Sequence, residues 1–190
     1  DGTQHVMLGD FTGHGLTAAL GGPLVSDIFY AMTAKGIGLA DVIHEINQQL
    51  HLKMPVGLFM AACFIEVDRD QRQVRVWNCG MPELLLFRDC RLMQRMVSNH
   101  MALGIRLHDT IEGATTTVAI VPGDRIMAFS DGVVEVADPE GTLFGQESLE
   151  ELLTQILECK EELDILKNVL EAYRHHPDQA DDITVVEISC

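Results

Sequence analysis

Three acidic positions in this 190-residue chain stand where an apolar run gives way to a polar turn, or the reverse. Asp10 follows "HVMLG" within "LGDFTGHG", Asp131 follows "RIMAFS" and precedes a glycine, and Asp181-Asp182 lead directly into "ITVVEI". Each run reads as a strand central in a sheet, so three distant parts of the chain could bring carboxylates to one edge of the core. Packed carboxylates repel one another and take up protons at neutral pH unless a cation holds them. Mg²⁺ and Mn²⁺ prefer oxygen donors, so a hard divalent ion is the chemistry this pattern suggests. For each residue taken alone a local role remains open: Asp10 as an Asx-turn or cap residue, Asp131-Gly132 as a plain turn, and Asp181 as a polar strand start.

Other reactive types in the chain point less far. Cys63 and Cys79 lie in apolar runs with no activating histidine in a shared motif, so they read as buried structural thiols. His14, in "GHG", either assists proton transfer to a leaving oxygen or simply sits in the turn. Gly13 and Gly15 beside it suit a tight turn that only residues without Cβ make easily. His100, His108, His175 and His176 have no zinc-ligand spacing, and the last two read as a solvated helix end.

The elements that would carry these residues follow from periodicity. The opening "DGTQHVMLGDF" reads as a strand, and Asp1-Gly2 looks like a hairpin turn whose preceding strand lies outside the chain. Residues 16–35 carry a helical apolar stripe of Leu16, Leu20, Leu24, Ile28 and Met32, with Pro23 expected to kink or interrupt it. "LADVIHEINQQLHL" is a second amphipathic helix. "FMAACFIEVD" and "QVRVWNC" form a hairpin around "RDQR", and "ELLLF", "RLMQRM", "ATTTVAIV" and "RIMAFS" are further strands. Two helices, in "ESLEELLTQILE" and "ELDILKNVLEAYRHH", precede a closing strand in "DITVVEIS". Helices, hairpin-linked strands, helices and a last strand indicate an α+β fold with antiparallel sheets, not βαβ alternation. No repeat or linker interrupts the chain, so it reads as a single domain over 1–190.

Composition excludes several functions. With 13 Lys+Arg against 29 Asp+Glu the formal charge is −16, so clustered cations for a nucleic-acid backbone are missing. No apolar stretch approaches the roughly 20 residues that a membrane-spanning helix needs, so no membrane insertion is expected. The five cysteines (63, 79, 90, 159 and 190) form no C-x-x-C pair and are odd in number, which favours a reducing, cytoplasmic location.

Taken in order, "LGDFTGHG", "PGDRIMAFSDGVVEV", "FGQESLEELL" and "DDITVVEIS" resemble successive motifs of the bacterial protein phosphatase 2C-like, metal-dependent family. The branch is the one typified by the sporulation stage II phosphatase and the stress-response sigma-factor regulators. "FMAACFIEVDRDQRQVRVWNCGMPELLLF" is similar to that branch's central hairpin, and "ALGI" to the short loop after it. The resemblance implies a four-layer αββα sandwich holding two Mg²⁺ or Mn²⁺ ions, and hydrolysis of phosphoserine or phosphothreonine in a protein. Carried over by position, Asp10 would bridge both ions and the carbonyl of Phe11 would add a backbone ligand. Asp131 and Asp181 would hold the first ion, with Asp182 behind them. Two departures stand out: the acidic strand residue that relatives carry upstream of "GD" falls before this chain, and Met81 of "GMPE" stands where many relatives have histidine.

The resemblance also supplies a context. In that branch such domains often follow a receiver or sensor domain, so a response regulator is the parent it implies, with a phosphorylated anti-sigma-factor antagonist, the usual substrate there, as its target. Two other readings stay open: a catalytically inactive, partner-binding output module of the same fold, and a small-molecule phosphohydrolase using the same metal chemistry.

Overall fold

A computed structural model of the chain describes residues 2–13, 19–107, 115–174 and 182–190. It divides into two compact units, Asp1–Met81 with Met96–Val121, and Pro82–Arg95 with Pro122–Cys190. Among the described residues each unit pairs one four-stranded antiparallel sheet with two helices. The expected α+β class is therefore what the chain adopts. No described helix is long and apolar enough to cross a membrane.

The first unit has the strand order β1-β2-β3-β6, from β1 (Thr3–Phe11), β2 (Met60–Asp68), β3 (Gln73–Cys79) and β6 (Thr116–Ala119). β1 and β2 pair from Thr3↔Asp68 through Phe11↔Met60, and β2 and β3 close the expected hairpin. In its turn the Gln71 amide donates to Asp68 Oδ1 at 2.9 Å, an acidic side chain replacing a ladder partner. α1 (Gly21–Thr33) and α2 (Leu39–Lys53) cover one face of this sheet. Leu39, Val42, Ile43, Ile46 and Leu50 recur at three- and four-residue spacing, and all are 0–1% exposed. Asp41 in the first turn of α2 and Lys53 in the last complement the helix dipole. Pro23 sits in the first turn of α1, where its missing N–H has no intrahelical partner to lose, so the described helix runs unbroken from Gly21 to Thr33.

The second unit has the order β5-β4-β7-β8, from β4 (Leu84–Arg88), β5 (Arg91–Met96), β7 (Arg125–Phe129) and β8 (Val185–Ser189). A two-residue turn at Asp89-Cys90, with φ of 50° and 61°, joins β4 to β5 in the left-handed geometry that tight hairpins require. α3 (Gly145–Cys159) and α4 (Asp164–Tyr173) bury Leu149, Leu153, Ile156, Leu166 and Leu170 against Leu85, Phe87, Met127 and Phe129. Asp124, fully buried at the head of β7, accepts two hydrogen bonds from the Arg88 guanidinium at 2.8 and 2.7 Å. That fork fixes where β7 begins, because an unpaired carboxylate there would be costly.

One sequence expectation is corrected. β7 is central, but among the described strands β1 and β8 each lie at the end of a sheet order, so Asp10 and Asp182 border edge strands. A continuous apolar run shows only that a strand is buried on both faces; which neighbours it pairs with is decided by the whole sheet. β8 also starts later than expected, at Val185, leaving 182–184 as an extended approach.

In the second unit the Arg95 guanidinium donates to Glu150 at 2.7 and 2.6 Å. This holds the Glu150 carboxyl below its ordinary value of 4.5, outweighing the opposing effect of burial. A depressed carboxyl contributes stability that is present above its unfolded pKa and is lost as pH falls through the folded one. Acidification from about pH 6 to about pH 3 should therefore lower Tm more steeply in the wild type than in Arg95→Ala, as read by circular dichroism. Equal slopes would show that the pair contributes nothing.

Candidate metal centre

Asp10 is the penultimate residue of β1 and pairs with Ala61 of β2. Met7 and Phe11 pack with the helices of the first unit, so strand alternation puts Leu8 and Asp10 on the opposite face of the sheet. The chain leaving β1 is held tightly. Thr12 donates its amide to the Phe59 carbonyl at 3.0 Å, and its hydroxyl accepts from the Phe59 amide at 3.1 Å. Gly13 follows with φ of +83°, a left-handed turn that glycine adopts without strain. A Cβ on Gly21 would lie 2.3 Å from the Phe11 ring, so the start of α1 approaches the end of β1 as closely as a residue without a side chain allows. The residue types in "LGDFTGHG" thus present Asp10 on a constrained strand end. His14 and Gly15 lie outside the described residues.

In the second unit Asp131 opens a single 3-10 turn, Asp131–Val133, immediately after β7. Its backbone carbonyl accepts from the Val134 and Glu135 amides at 2.9 and 3.0 Å. Its side-chain Oδ1 is buried with no hydrogen-bond partner among the described residues. A buried acceptor left in this state costs on the order of 1–3 kcal/mol, more for a charged group, which a bound cation or water would remove. The antiparallel pair β7–β8, in register from Arg125↔Ser189 to Phe129↔Val185, carries the end of β7 alongside the residues that lead into β8. Asp131 and the 182–184 segment are therefore neighbours, although 51 positions separate Asp131 from Asp182 (182 − 131). Asp181 lies outside the described residues, so its place beside Asp131 stays an expectation.

Each residue type suits a hard cation: Asp10 stands on a constrained strand end, and Asp131, in the other unit, carries a buried oxygen with no partner among the described residues. Among the described residues no three His, Cys, Asp or Glu side chains are gathered closely enough to form a site by themselves.

The thiols play no part in it. Burial pushes Cys63 and Cys79 up to about 12, the Cys79 thiol being raised further by Cys63 beside it. Neither is a thiolate near neutral pH, which agrees with their reading as structural residues. A thiol-reactive disulfide reagent at neutral pH should label the exposed Cys159 rapidly, and Cys63 and Cys79 only after unfolding. Loss of the fast phase in Cys159→Ser checks the assignment; rapid labelling of Cys63 in the native protein would contradict it. Met81 is 4% exposed, and its amide donates to Asn78 Oδ1 at 2.9 Å. Its side chain is a packing residue.

Four residues that position this region escaped sequence reasoning. Thr12 and Ser130 lie within quoted motifs but carry no sign of their long-range partners. Asn47, inside the apolar stripe of α2, donates to the Arg106 carbonyl at 3.0 Å and accepts from the Gly104 amide at 2.8 Å, so it holds the "ALGI" loop. Asn78 accepts from Met81 through its side chain and from Asn99 and His100 through its carbonyl. A polar residue in an otherwise apolar stripe is a usable signal for Asn47; the other three have none.

Comparison with known proteins bears on the whole chain. The protein IcfG of Synechocystis sp. (strain ATCC 27184 / PCC 6803 / Kazusa) is 26% identical over 134 residues, a match that covers 70% of this chain but only 21% of that protein's length. Among solved structures, the SiaA-PP2C domain of Pseudomonas aeruginosa superposes with a TM-score of 0.80 at 22% identity, covering 100% of this chain and 80% of that one. The catalytic domain of the serine/threonine protein phosphatase PstP, solved in complex with two manganese ions, gives a TM-score of 0.70 at 17% identity, covering 96% and 86%. These likenesses show a shared fold. The family model described as stage II sporulation protein E matches residues 1–190 in full, and the chain belongs to that family of phosphatase 2C-like domains.

Proposed function

We propose that residues 1–190 act as one metal-dependent phosphatase domain that hydrolyses phosphoserine or phosphothreonine in a protein. The observation that carries this reading is the buried, unpartnered Oδ1 of Asp131 in a chain that belongs to a phosphatase 2C-like family. The manganese-bound PstP domain, which shares the fold, supports two ions of Mn²⁺ or Mg²⁺ as the cofactor. Asp10, the Phe11 carbonyl, Asp131 and Asp181 are the residues proposed to hold them. Bound there, the ions supply positive charge for the phosphoryl oxygens and lower the pKa of water toward neutrality.

The chain's own residues do the rest. Asp131, at the head of its turn, offers a buried Oδ1 that no described hydrogen-bond donor occupies. The Thr12 clamp and the glycine turn at 13 keep Asp10 on a rigid strand end, the condition for holding charges at fixed separation. For His14 two roles stay open, proton transfer to the leaving serine or threonine oxygen or a place in the turn alone. No side chain serves as nucleophile. The wider setting, also proposed, is cytoplasmic partner switching: a receiver or sensor domain upstream and a phosphorylated anti-sigma-factor antagonist as substrate.

The test measures phosphate release from an aryl phosphate and from a phosphoserine-bearing protein by the full-length protein, with and without Mn²⁺. Activity that disappears with chelator and returns with Mn²⁺ is expected, with the phosphoprotein preferred. Activity on the aryl phosphate alone would indicate a small-molecule phosphohydrolase. No Mn²⁺-dependent hydrolysis of either would leave the partner-binding module as the function.

A further inference from the structure

We propose that Ser130 is a positioning residue that sets the affinity of the Asp131 region for a divalent cation, an inference that rests on the metal reading above. Ser130 is 2% exposed and is the last residue before the 3-10 turn that carries Asp131. Its amide donates to the Thr184 carbonyl at 3.0 Å, which extends the β7–β8 ladder by one step past Phe129↔Val185. Its own carbonyl then leaves the ladder and accepts from the Val133 amide at 3.2 Å, opening the turn. That departure would strand the Thr184 amide. The Ser130 hydroxyl takes the carbonyl's place, accepting from the Thr184 amide at 3.0 Å, and it donates to the Asp182 carbonyl at 2.8 Å.

One hydroxyl can do both because it is donor and acceptor at once. The result is a chain that turns away at Asp131 while remaining stapled to the segment that follows Asp181. Alanine would remove both bonds. Asp182 and Thr184 are exposed, so water can satisfy their backbone groups and the fold need not fail. What alanine loses is the fixed relation between Asp131 and the strand approach beside it. Groups that orient metal ligands in this way typically change metal affinity by about 10- to 100-fold when removed.

The test is a Mn²⁺ titration of the full-length protein followed by electron paramagnetic resonance, beside amide hydrogen exchange at Thr184 in the metal-free state. Ser130→Ala should bind Mn²⁺ about 10- to 100-fold more weakly than the wild type, and Ser130→Thr, which keeps the hydroxyl, should recover most of that loss. The Thr184 amide should exchange faster in Ser130→Ala without metal, a change that ligand loss alone does not produce. Unchanged Mn²⁺ affinity in Ser130→Ala, alongside weakened binding in Asp131→Asn, overturns the role of Ser130 and leaves the metal reading standing. Equal affinity in the wild type and Asp131→Asn sinks both. Should Ser130→Ala not fold, Ser130→Cys, similar in size but a poorer hydrogen-bonding group, is titrated in its place and judged by the same outcomes.

Discussion

Asp131→Ala should lower Mn²⁺-dependent phosphate release by about 10³-fold, because a ligand that helps hold the cation carries several kcal/mol of transition-state stabilisation and each 1.36 kcal/mol is about tenfold in rate. The expectation comes from the state of one atom. Oδ1 of Asp131 is buried and has no hydrogen-bond donor among the described residues, so its lone pairs are available to a cation and are not spent on the fold. For the same reason the variant should fold: alanine removes an unsatisfied acceptor and breaks no hydrogen bond made by that oxygen. Asp10→Ala should lower the rate comparably, since Asp10 is also a proposed ligand. Asp182→Ala should cost far less, because that side chain is exposed and the hydrogen bond from Ser130 runs to the backbone carbonyl, which alanine retains. Steady-state rates across a Mn²⁺ series decide the matter. Wild-type rates in Asp131→Ala at saturating Mn²⁺ would remove the residue from the site.

Phe64→Ala should destabilise the protein by about 3–5 kcal/mol, the range for deleting a fully buried phenyl ring from a core. Phe64 is 0% exposed on β2, in register with Met7 of β1 and Trp77 of β3. It packs in the cluster formed with Val25 and Phe29 of α1 and with Ile43 and Ile46 of α2, its ring 6.4 Å from that of Phe29. In a chain of this size the loss corresponds to a fall in Tm of roughly 6–20 °C, readable by calorimetry. Phe64→Leu, which keeps most of the volume, should cost much less. A shift of under about 2 °C in Phe64→Ala would mean that the cluster repacks freely, contrary to the density expected of a core. Since β2 is the strand that holds β1 in register, residual folded Phe64→Ala should still bind Mn²⁺, which separates loss of stability from loss of the site.

Element types and their order were legible in the sequence because period and punctuation are local properties. Leu39, Val42, Ile43, Ile46 and Leu50 can only share a face on a helix, and the helix runs as read, ending one residue beyond the quoted stretch at Lys53. "RDQR" between two apolar runs could only be a turn, and it closes the β2–β3 hairpin. Asp131 was legible for a similar reason, since an acidic residue followed by glycine after "RIMAFS" stops a strand. Strand neighbours were not legible. That β1 and β8 stand at the ends of their sheet orders depends on pairings with β2 and β7, made across tens of residues and invisible to any window along the chain.

By itself, then, the sequence determined an α+β chain of paired helices and hairpins, the acidic residues that could meet a cation, and the motif order that resembles a phosphatase family. Only the tertiary structure decided how those acids are presented. A hydroxyl at position 130 finds its partners 52 and 54 residues away, Arg88 finds Asp124 36 residues away, and Gly21 meets the Phe11 ring. Apolar periodicity is written into neighbouring residues because burial acts on each side chain separately. Hydrogen-bond complementarity is a relation between two distant groups, and it acquires a value only once the fold has closed the distance between them.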